Sequence, residues 1–252
     1  MALLSVKNLK KIFKVERLFK ETKDFVVAVD DVSFYLEKGR VLAVVGESGS
    51  GKTTLARCIA GLEDYEGEIL YKGKKLEFKD KNIRRQIQYV FQDTYNSLNP
   101  RMKIKDILAE PLYFHFKMQS EKLNEKVIKY LEDVGLKEDV LNKYSYELSG
   151  GQRQRIVIAR ALTMEPELII ADEPVSSLDV SIQAQILKLF YDLNKKGLTI
   201  IFITHDLRTV KSIADEIIIM RQGKIVERGK VCEIYKKPEN DYTKKLLEAV
   251  IG

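Results

Sequence analysis

Short runs of apolar residues recur along the 252-residue chain, and residues that favour turns bound each run. Runs of this kind are typical of strands that are buried on both faces of a parallel sheet. Patterns typical of helices lie between several of them, and strand–helix alternation predicts an α/β core. The predicted strands are residues 41–45, 168–171, 198–203 and 216–220, and two of the predicted helices are residues 53–62 and 180–195.

Two regions depart from this alternation. Residues 3–36 and 67–79 are predicted to form antiparallel strands, with a hairpin turn at 71–75 and a charged loop at 14–24. Residues 104–148 have helical periodicity and no convincing strand. We therefore predict one domain over residues 1–252, divided into a core (1–92 and 149–252) that includes an N-terminal antiparallel β subdomain, and an inserted α-helical subdomain (93–148).

The positive net charge of the chain is compatible with several kinds of anionic partner. The chain has 43 Lys and Arg against 37 Asp and Glu, a formal net charge of +6. This excess fits nucleic acid, an anionic membrane surface or a small anionic ligand, and charge alone does not choose among them. No apolar run approaches the roughly 18 residues that span a bilayer, and the start lacks the features of a signal peptide. Two distant cysteines, Cys58 and Cys232, cannot form a disulfide framework, so we expect a soluble protein in a reducing, cytosolic setting.

A glycine-rich segment follows the first predicted core strand and matches the pattern GxxxxGK[ST] in full. Its glycines permit backbone conformations that turn successive N–H groups toward a phosphate, and the N-terminus of the next helix adds its dipole. Lys52 can reach the β- and γ-phosphates of a nucleotide, and the Thr53 hydroxyl can bind Mg²⁺. The predicted nucleotide-binding residues are Gly46, Glu47, Ser48, Gly49, Ser50, Gly51, Lys52, Thr53 and Thr54.

Two carboxylates follow the predicted strand 168–171. A phosphate loop needs an acidic partner that holds Mg²⁺ from a neighbouring strand, and Asp172 is the candidate. Glu173 is the next residue and would point elsewhere, where it could polarise an attacking water as general base. A strand end with incidental acidic residues is the other interpretation, and the phosphate loop upstream argues against it.

A second helix start of the kind that binds anions lies between these two elements. It has the sequence Leu-Ser-Gly-Gly-Gln at residues 148–152, with Ser149 at the predicted N-cap. The chain contains a single phosphate loop, so this second anion-binding helix start requires a separate functional explanation.

Residues 148–152 resemble the signature motif of the ATP-binding-cassette (ABC) ATPases, and the order of motifs resembles that family from about residue 3 to 251. The resemblance implies a P-loop NTPase fold, the ABC ATPase core, that binds ATP and Mg²⁺ and hydrolyses ATP. The family's glutamine loop corresponds to Gln92 and its histidine switch to His205. The implied catalytic residues are Glu173, His205 and Gln92, and the implied Mg²⁺ ligands are Thr53, Gln92 and Asp172.

The resemblance also implies that two cassettes bind head to tail. This arrangement would explain why the chain has one phosphate loop and one further anion-binding helix start. The signature of one chain would face the γ-phosphate that Lys52 of the other chain holds. The family's dimer-contacting loop corresponds to residues 176–179. The residues implied in contacts across the dimer are Ser149, Gly150, Gly151, Gln152 and Asp179.

An aromatic residue near the N-terminus commonly stacks on adenine in this family. Phe13 is the candidate in this chain. Phe19 and Phe25 are alternatives, because the predicted loop at 14–24 lies so close. An ordinary core or loop phenylalanine is the other interpretation of Phe13.

Three stretches are similar to the importer branch for oligopeptides, dipeptides and nickel: residues 91–102, 172–185 and 241–247. Arg101 and residues 152–155 are similar to the second ATPase subunit of such importers. The resemblance implies a heterodimer with a second ABC ATPase, or alternatively a homodimer. This pair would serve two transmembrane permease subunits and an extracytoplasmic substrate-binding protein at the cytoplasmic face of the cell membrane. We expect peptide cargo, with nickel or a metal chelate as the alternative.

The helical insert would dock the permease, through apolar residues that could equally form the insert's own core: Tyr95, Leu98, Ile104 and Leu112.

A soluble ABC ATPase that acts on nucleic acid is the competing function, favoured by the lysine-rich stretch 72–85. A solvated lysine face is the better interpretation of that stretch, so no nucleic-acid partner is expected. The signature at 148–152 argues against an unrelated P-loop kinase or GTPase, and Cys232 alone cannot form the metal cluster found in the tail of some relatives.

Overall fold

The computed structural model describes residues 2–15 and 24–251. Strands and helices alternate through most of this range, in the order the apolar runs predict. The strands are β1 (Ala2–Val15), β2 (Asp24–Glu37), β3 (Val41–Val45), β4 (Glu66–Tyr71), β5 (Lys74–Lys75), β6 (Ile87–Val90), β7 (Leu168–Asp172), β8 (Thr199–Thr204), β9 (Glu216–Arg221) and β10 (Lys224–Lys230). The helices are α1 (Lys52–Ile59), α2 (Lys81–Gln86), α3 (Ile104–Phe116), α4 (Ser120–Asp133), α5 (Gly150–Leu162), α6 (Val180–Lys195), α7 (Leu207–Ile213), α8 (Val231–Lys236) and α9 (Asp241–Ile251).

A six-stranded sheet with the order β10-β9-β3-β8-β7-β6 forms the centre of the protein. Its pairs are parallel except for β9 with β10. Strands β3, β7 and β8 are buried along their whole length, which is why they appear in the sequence as continuous apolar runs. The prediction of an α/β core is confirmed. Because these strands are parallel, the carboxyl ends of β3, β8, β7 and β6 meet at one edge of the sheet.

A second sheet with the order β2-β1-β4-β5 is antiparallel throughout and confirms the predicted N-terminal β region. Its hairpin turn lies at Lys72 and Gly73, both in the left-handed region (φ 52° and 76°), as a tight turn between twisted strands requires. Both ends of the loop predicted at 14–24 are strand, because β1 continues to Val15 and β2 begins at Asp24, and residues 16–23 lie outside the described residues. Phe19 lies outside the described residues.

Helices α3 and α4 occupy the stretch predicted to be helical and pack on α5. Val127, Leu131 and Val134 share one buried face, as their spacing predicts. Leu98, Ile104 and Leu112 are at most 1% exposed and belong to the same apolar core, so they cannot form a docking surface. Tyr95 is 58% exposed and is the one residue of that set on the surface.

Some element bounds differ from the sequence-based prediction. The prediction did not include strands β6 and β10. Helix α1 ends at Ile59 rather than at residue 62, because Gly61 adopts a left-handed conformation (φ 67°) that stops a helix. Within residues 2–15 and 24–251, no helix is both long and apolar enough to cross a membrane.

Candidate functional site

A cavity of about 1020 Å³ lies at the sheet edge where the parallel strands end. Gly46 follows β3, Gln92 comes two residues after β6, Glu173 follows β7, and His205 follows β8. Residues that are far apart in sequence therefore line one space. The phosphate-loop residues that line it are Gly46, Glu47, Ser48, Gly49, Gly51, Lys52, Thr53 and Thr54.

The phosphate loop depends on glycine at specific points. Gly49 and Gly51 have φ angles of 79° and 101°, which side chains of other residues rarely tolerate. A Cβ atom at Gly51 would collide with the Ala28 carbonyl oxygen, and one at Gly46 would collide with the Met220 carbonyl oxygen. These two carbonyl groups, one from each sheet, therefore lie directly against the glycines and fix the position of the loop between the sheets.

Lys52 holds its ammonium group in the loop. Nζ donates to the carbonyl oxygens of Gly46 and Glu47, at 2.8 Å each, and the residue is 5% exposed. Burial lowers the pKa of Lys52 below its ordinary value, because the charged form loses water. An anion bound in the cavity would compensate for this lost solvation.

Asp172 accepts two hydrogen bonds, one from the Thr53 hydroxyl (3.1 Å) and one from the Tyr89 hydroxyl (2.7 Å). It is 3% exposed, and burial raises the pKa of its carboxyl group. A hydroxyl oxygen and a carboxylate oxygen side by side suit Mg²⁺, which commonly binds one or two protein oxygens together with phosphates and water. Thr53 and Asp172 therefore fit the predicted metal site.

Glu173 lies at the centre of a second cluster. Its Oε2 accepts from Gln92 Nε2 at 3.1 Å and lies 3.2 Å from His205 Nδ1. The backbone of Glu173 is left-handed (φ 45°), which is uncommon for a residue with a side chain and is often found at functional sites. Its amide donates to the Ile203 carbonyl of β8, at 3.0 Å, and this bond helps to hold the strained conformation.

Part of the cavity lining is apolar. Phe13, Val26 and Val27 line it, from paired positions on β1 and β2. Phe25, one of the two alternatives to Phe13, is 59% exposed and does not line the cavity. The other alternative, Phe19, lies outside the described residues.

The signature segment lies apart from this cavity. Ser149 is the N-cap of α5, as predicted, and forms a capping box: its Oγ accepts from Gln152 N at 3.2 Å, while Gln152 Oε1 accepts from Ser149 N at 3.0 Å. A Cβ atom at Gly151 would lie 2.5 Å from Ile182 Cγ2 of α6, so this position needs glycine. Asp179 is exposed at the N-cap position of α6, but its side chain makes no capping hydrogen bond. The structure therefore separates residues 149–152 and Asp179 from the other predicted site residues.

Several residues that line the cavity or contact its residues were missed by the sequence-based prediction. Tyr89 contacts Asp172 from β6, Gln222 and Leu246 line the cavity, and the Tyr242 hydroxyl accepts from the Glu47 amide at 3.3 Å. Tyr242 and Leu246 lie in the stretch 241–247 that resembles importer ATPases, which was the one available signal. Tyr89 and Gln222 belong to no motif, and only the packing of distant segments brings them to the site.

Comparison with known proteins agrees with this geometry. The sequence profile of one family, described as ABC transporter, matches residues 29–176. The chain is 46% identical to the dipeptide transport ATP-binding protein DppF of Haemophilus influenzae, over 98% of this chain and 77% of that protein. It is 49% identical to the oligopeptide transport ATP-binding protein OppF of Bacillus subtilis, over 98% of this chain and 82% of the relative.

Solved structures give the same fold. The dimeric ATP-binding cassette MJ0796, in a post-hydrolysis state bound to ADP and Pi, aligns with a TM-score of 0.80 and 30% identity. That alignment covers 90% of this chain and 98% of the other. CbiO1 of Clostridium perfringens, part of the ABC transporter complex CbiONQ, aligns with a TM-score of 0.80 and 28% identity, over 94% and 91% of the two chains.

Proposed function

The chain belongs to the ABC transporter family and is an ATPase of that family, and on this premise we propose that it powers an importer of oligopeptides or dipeptides. The observation that carries the proposal is the single cavity in which the phosphate loop, Glu173 and His205 meet. Relatives that are 46% and 49% identical are named as dipeptide and oligopeptide transport proteins, which supports the cargo class.

The cavity suggests a role for each group. The loop amides and Lys52 would bind the β- and γ-phosphates of ATP, while Thr53, Asp172 and Gln92 would hold Mg²⁺. The metal, when bound, would neutralise charge on the phosphate oxygens. Glu173 would accept a proton from the attacking water.

Gln92 and His205 contact the same Glu173 oxygen and would keep that carboxylate in place. His205 would also contact the γ-phosphate, and Phe13 would stack on adenine. The remaining cradle residues, Glu47, Ser48, Ser50 and Thr54, would complete the pocket for the nucleotide.

We also propose that the signature segment acts on the ATP of a second cassette. Its N-cap Ser149 is exposed and lies outside the cavity of its own chain. A partner would bring its γ-phosphate to Ser149, Gly150, Gly151 and Gln152, and Asp179 would contact the partner across the interface. The related cassette MJ0796 is a dimer, which supports the pairing of two cassettes. A heterodimer with a second ATPase subunit is our proposal, and a homodimer is the alternative.

The permease would bind where the helical insert, residues 93–148, meets the core. A cleft of about 980 Å³ lies there, and Phe91, Asp93, Phe114, His115 and Arg160 are among its lining residues. Phe91 is 41% exposed and Phe114 is 60% exposed. Gln92 lines the nucleotide cavity, and its two chain neighbours, Phe91 and Asp93, line this cleft. Docking two permease subunits here, with a substrate-binding protein outside, would keep the chain at the cytoplasmic face of the membrane.

The cassette mechanism is tested with Glu173→Gln. We expect this variant to bind ATP, to hydrolyse it at least about 100-fold more slowly and to accumulate as an ATP-bound dimer, alone or with its partner ATPase. Light scattering after size-exclusion chromatography with ATP and Mg²⁺ measures the dimer. The matched control is Glu167→Gln, just before β7, which removes a carboxylate paired with Lys38 and Lys72 and should change neither property. If no ATP-bound dimer of Glu173→Gln forms in either setting, the mechanism is wrong.

The cargo is decided with the assembled transporter. ATP-dependent uptake of peptides would support the proposal, and uptake of nickel or a metal chelate instead would establish the alternative. Salt-sensitive binding of DNA or RNA near micromolar affinity would revive the competing nucleic-acid function.

A further inference from the structure

We propose that Lys11 is a positioning residue of the nucleotide site, and that it holds the Phe13 ring in place for stacking on the nucleoside base. Lys11 does not line the cavity itself, and no sequence motif points to it. The inference rests on the proposed ATP site and adds a residue that would strengthen the binding of the base end alone.

The Lys11 side chain is held in place behind the Phe13 ring, which is called the base platform below because the nucleoside base would stack on it. Its ammonium pairs with Glu63 at 3.1 Å and with Asp64, and the side chain is only 9% exposed. The same ammonium lies over the Phe13 ring, 4.8 Å from its centroid. A cation at this distance attracts the ring face, and because two carboxylates hold the cation, the ring is held too. One face of the ring is thus covered, which leaves the other face for a base.

The backbone supports this placement. The register between β1 and β2 is irregular on both sides of Lys11, between Leu9 and Lys11 and again between Lys11 and Ile12. Each irregularity adds a residue on β2, and such bulges re-aim side chains beside functional sites. Ala28 is the extra residue of the second irregularity, and its carbonyl oxygen packs against Gly51 of the phosphate loop. This second irregularity therefore contacts the phosphate loop and lies between Lys11 and the next residue of β1.

The carboxylates connect Lys11 to the phosphate loop through α1. This helix begins at Lys52, within the loop, and Glu63 and Asp64 follow its other end. The Asp64 hydrogen bond is the main cause that raises the pKa of Lys11, so the ammonium stays charged at neutral pH. The base platform and the phosphate loop are consequently both anchored to α1, which fixes their separation.

The experiment compares a ligand that has a base with one that has none. We expect Lys11→Met to weaken ATP binding about two- to five-fold and to leave the binding of inorganic triphosphate unchanged, both with Mg²⁺ in calorimetry. Phe13→Ala should weaken ATP binding about ten-fold, again without an effect on triphosphate. Lys11→Arg keeps a cation over the ring and should restore most of the ATP affinity.

Two further variants separate positioning from general stability. Lys10→Met is the matched control: the neighbouring lysine is 40% exposed and pairs loosely with Asp30, at 3.8 Å, so ATP binding should not change. In the Phe13→Ala background Lys11→Met should have no further effect, because the ring it positions is gone. If Lys11→Met does not fold, Glu63→Gln/Asp64→Asn releases the ammonium instead and should give the same selective loss.

An equal loss of ATP and triphosphate affinity would overturn the proposal, since Lys11 would then act on the whole fold. An additive effect in the Phe13→Ala background would overturn it as well. Failure of the wild-type protein to bind ATP would instead contradict the proposed function, so the two failures are distinguishable.

Discussion

Two helices of this protein begin at glycine-rich turns, and their N-termini differ. The N-cap of helix α1 is Gly51, which has a left-handed backbone (φ 101°) and no side chain to cap the helix. The N-cap of helix α5 is Ser149, which forms a reciprocal pair of hydrogen bonds with Gln152. The first N-terminus is left for an external anion, whereas the second is partly satisfied by its own side chains.

The surroundings of the two turns differ in the same sense. The phosphate loop lies in a cavity together with a buried lysine, so a single chain contains what is needed to attract phosphate. Ser149 is exposed and does not line that cavity. A glycine-rich helix start is thus not by itself a complete anion site. On the proposed mechanism the phosphate loop would bind ATP within one chain, and the signature segment would act only on a phosphate that another molecule presents.

The largest expected effect comes from removing the lysine of the first turn. Lys52→Met should weaken ATP binding about 100-fold, since hydrogen bonds between charged groups contribute roughly 1.5–3 kcal/mol each. Without nucleotide, the melting temperature should not fall, because the variant no longer buries an ammonium group. Calorimetry and thermal unfolding measure the two quantities. The control is Lys38→Met, an exposed lysine at the other end of β3. Unchanged ATP affinity would contradict the assignment of the cavity.

A smaller effect is expected at the second turn. Ser149→Asp keeps a good N-cap residue but places a negative charge where the partner's γ-phosphate would lie. We expect hydrolysis to fall about 10- to 100-fold, while ATP binding by a single chain and the unfolding free energy stay within experimental error. Ser149→Asn caps the helix without the charge and is the matched control. Weaker ATP binding by single Ser149→Asp chains would mean that the two turns share one site, which would break the comparison.

The smallest effect concerns the far ends of the two helices, which are both held by lysine–carboxylate pairs. Beyond α5, Glu165 accepts from Lys126 and from the Tyr130 hydroxyl of α4. The Lys126 hydrogen bond lowers the pKa of Glu165 below its ordinary value of 4.5. The ionised carboxylate therefore stabilises the fold above that value, and the contribution disappears as the pH falls through the lowered pKa.

Glu165→Gln should accordingly cost only about 0.5 kcal/mol at neutral pH, because the pair is partly exposed and screened by solvent. The difference from wild type should vanish at acid pH, as denaturant unfolding at several pH values would measure. ATP hydrolysis should not change. A difference that persists at acid pH would rule out the ion pair as its cause.

The sequence determined the parts of this protein that depend on local pattern. Buried parallel strands need continuous apolar runs, and the phosphate loop needs glycine where the backbone is left-handed, so both were predictable from residues close together in the chain. The same holds for the N-cap of α5, since Ser149 and Gln152 are three residues apart.

Only the tertiary structure decided which distant residues meet. Tyr89 reaches Asp172 from 83 residues away, and Tyr242 reaches the phosphate loop across 195 residues. Likewise, packing rather than pattern buried Leu98, Ile104 and Leu112 while leaving Tyr95 on the surface. Hydrophobicity is a property of each residue, but burial and contact depend on how whole elements pack, and a single sequence does not specify this residue by residue. The resemblance implied that Ser149 faces the nucleotide of another chain, and the folded chain places Ser149 outside its own nucleotide cavity.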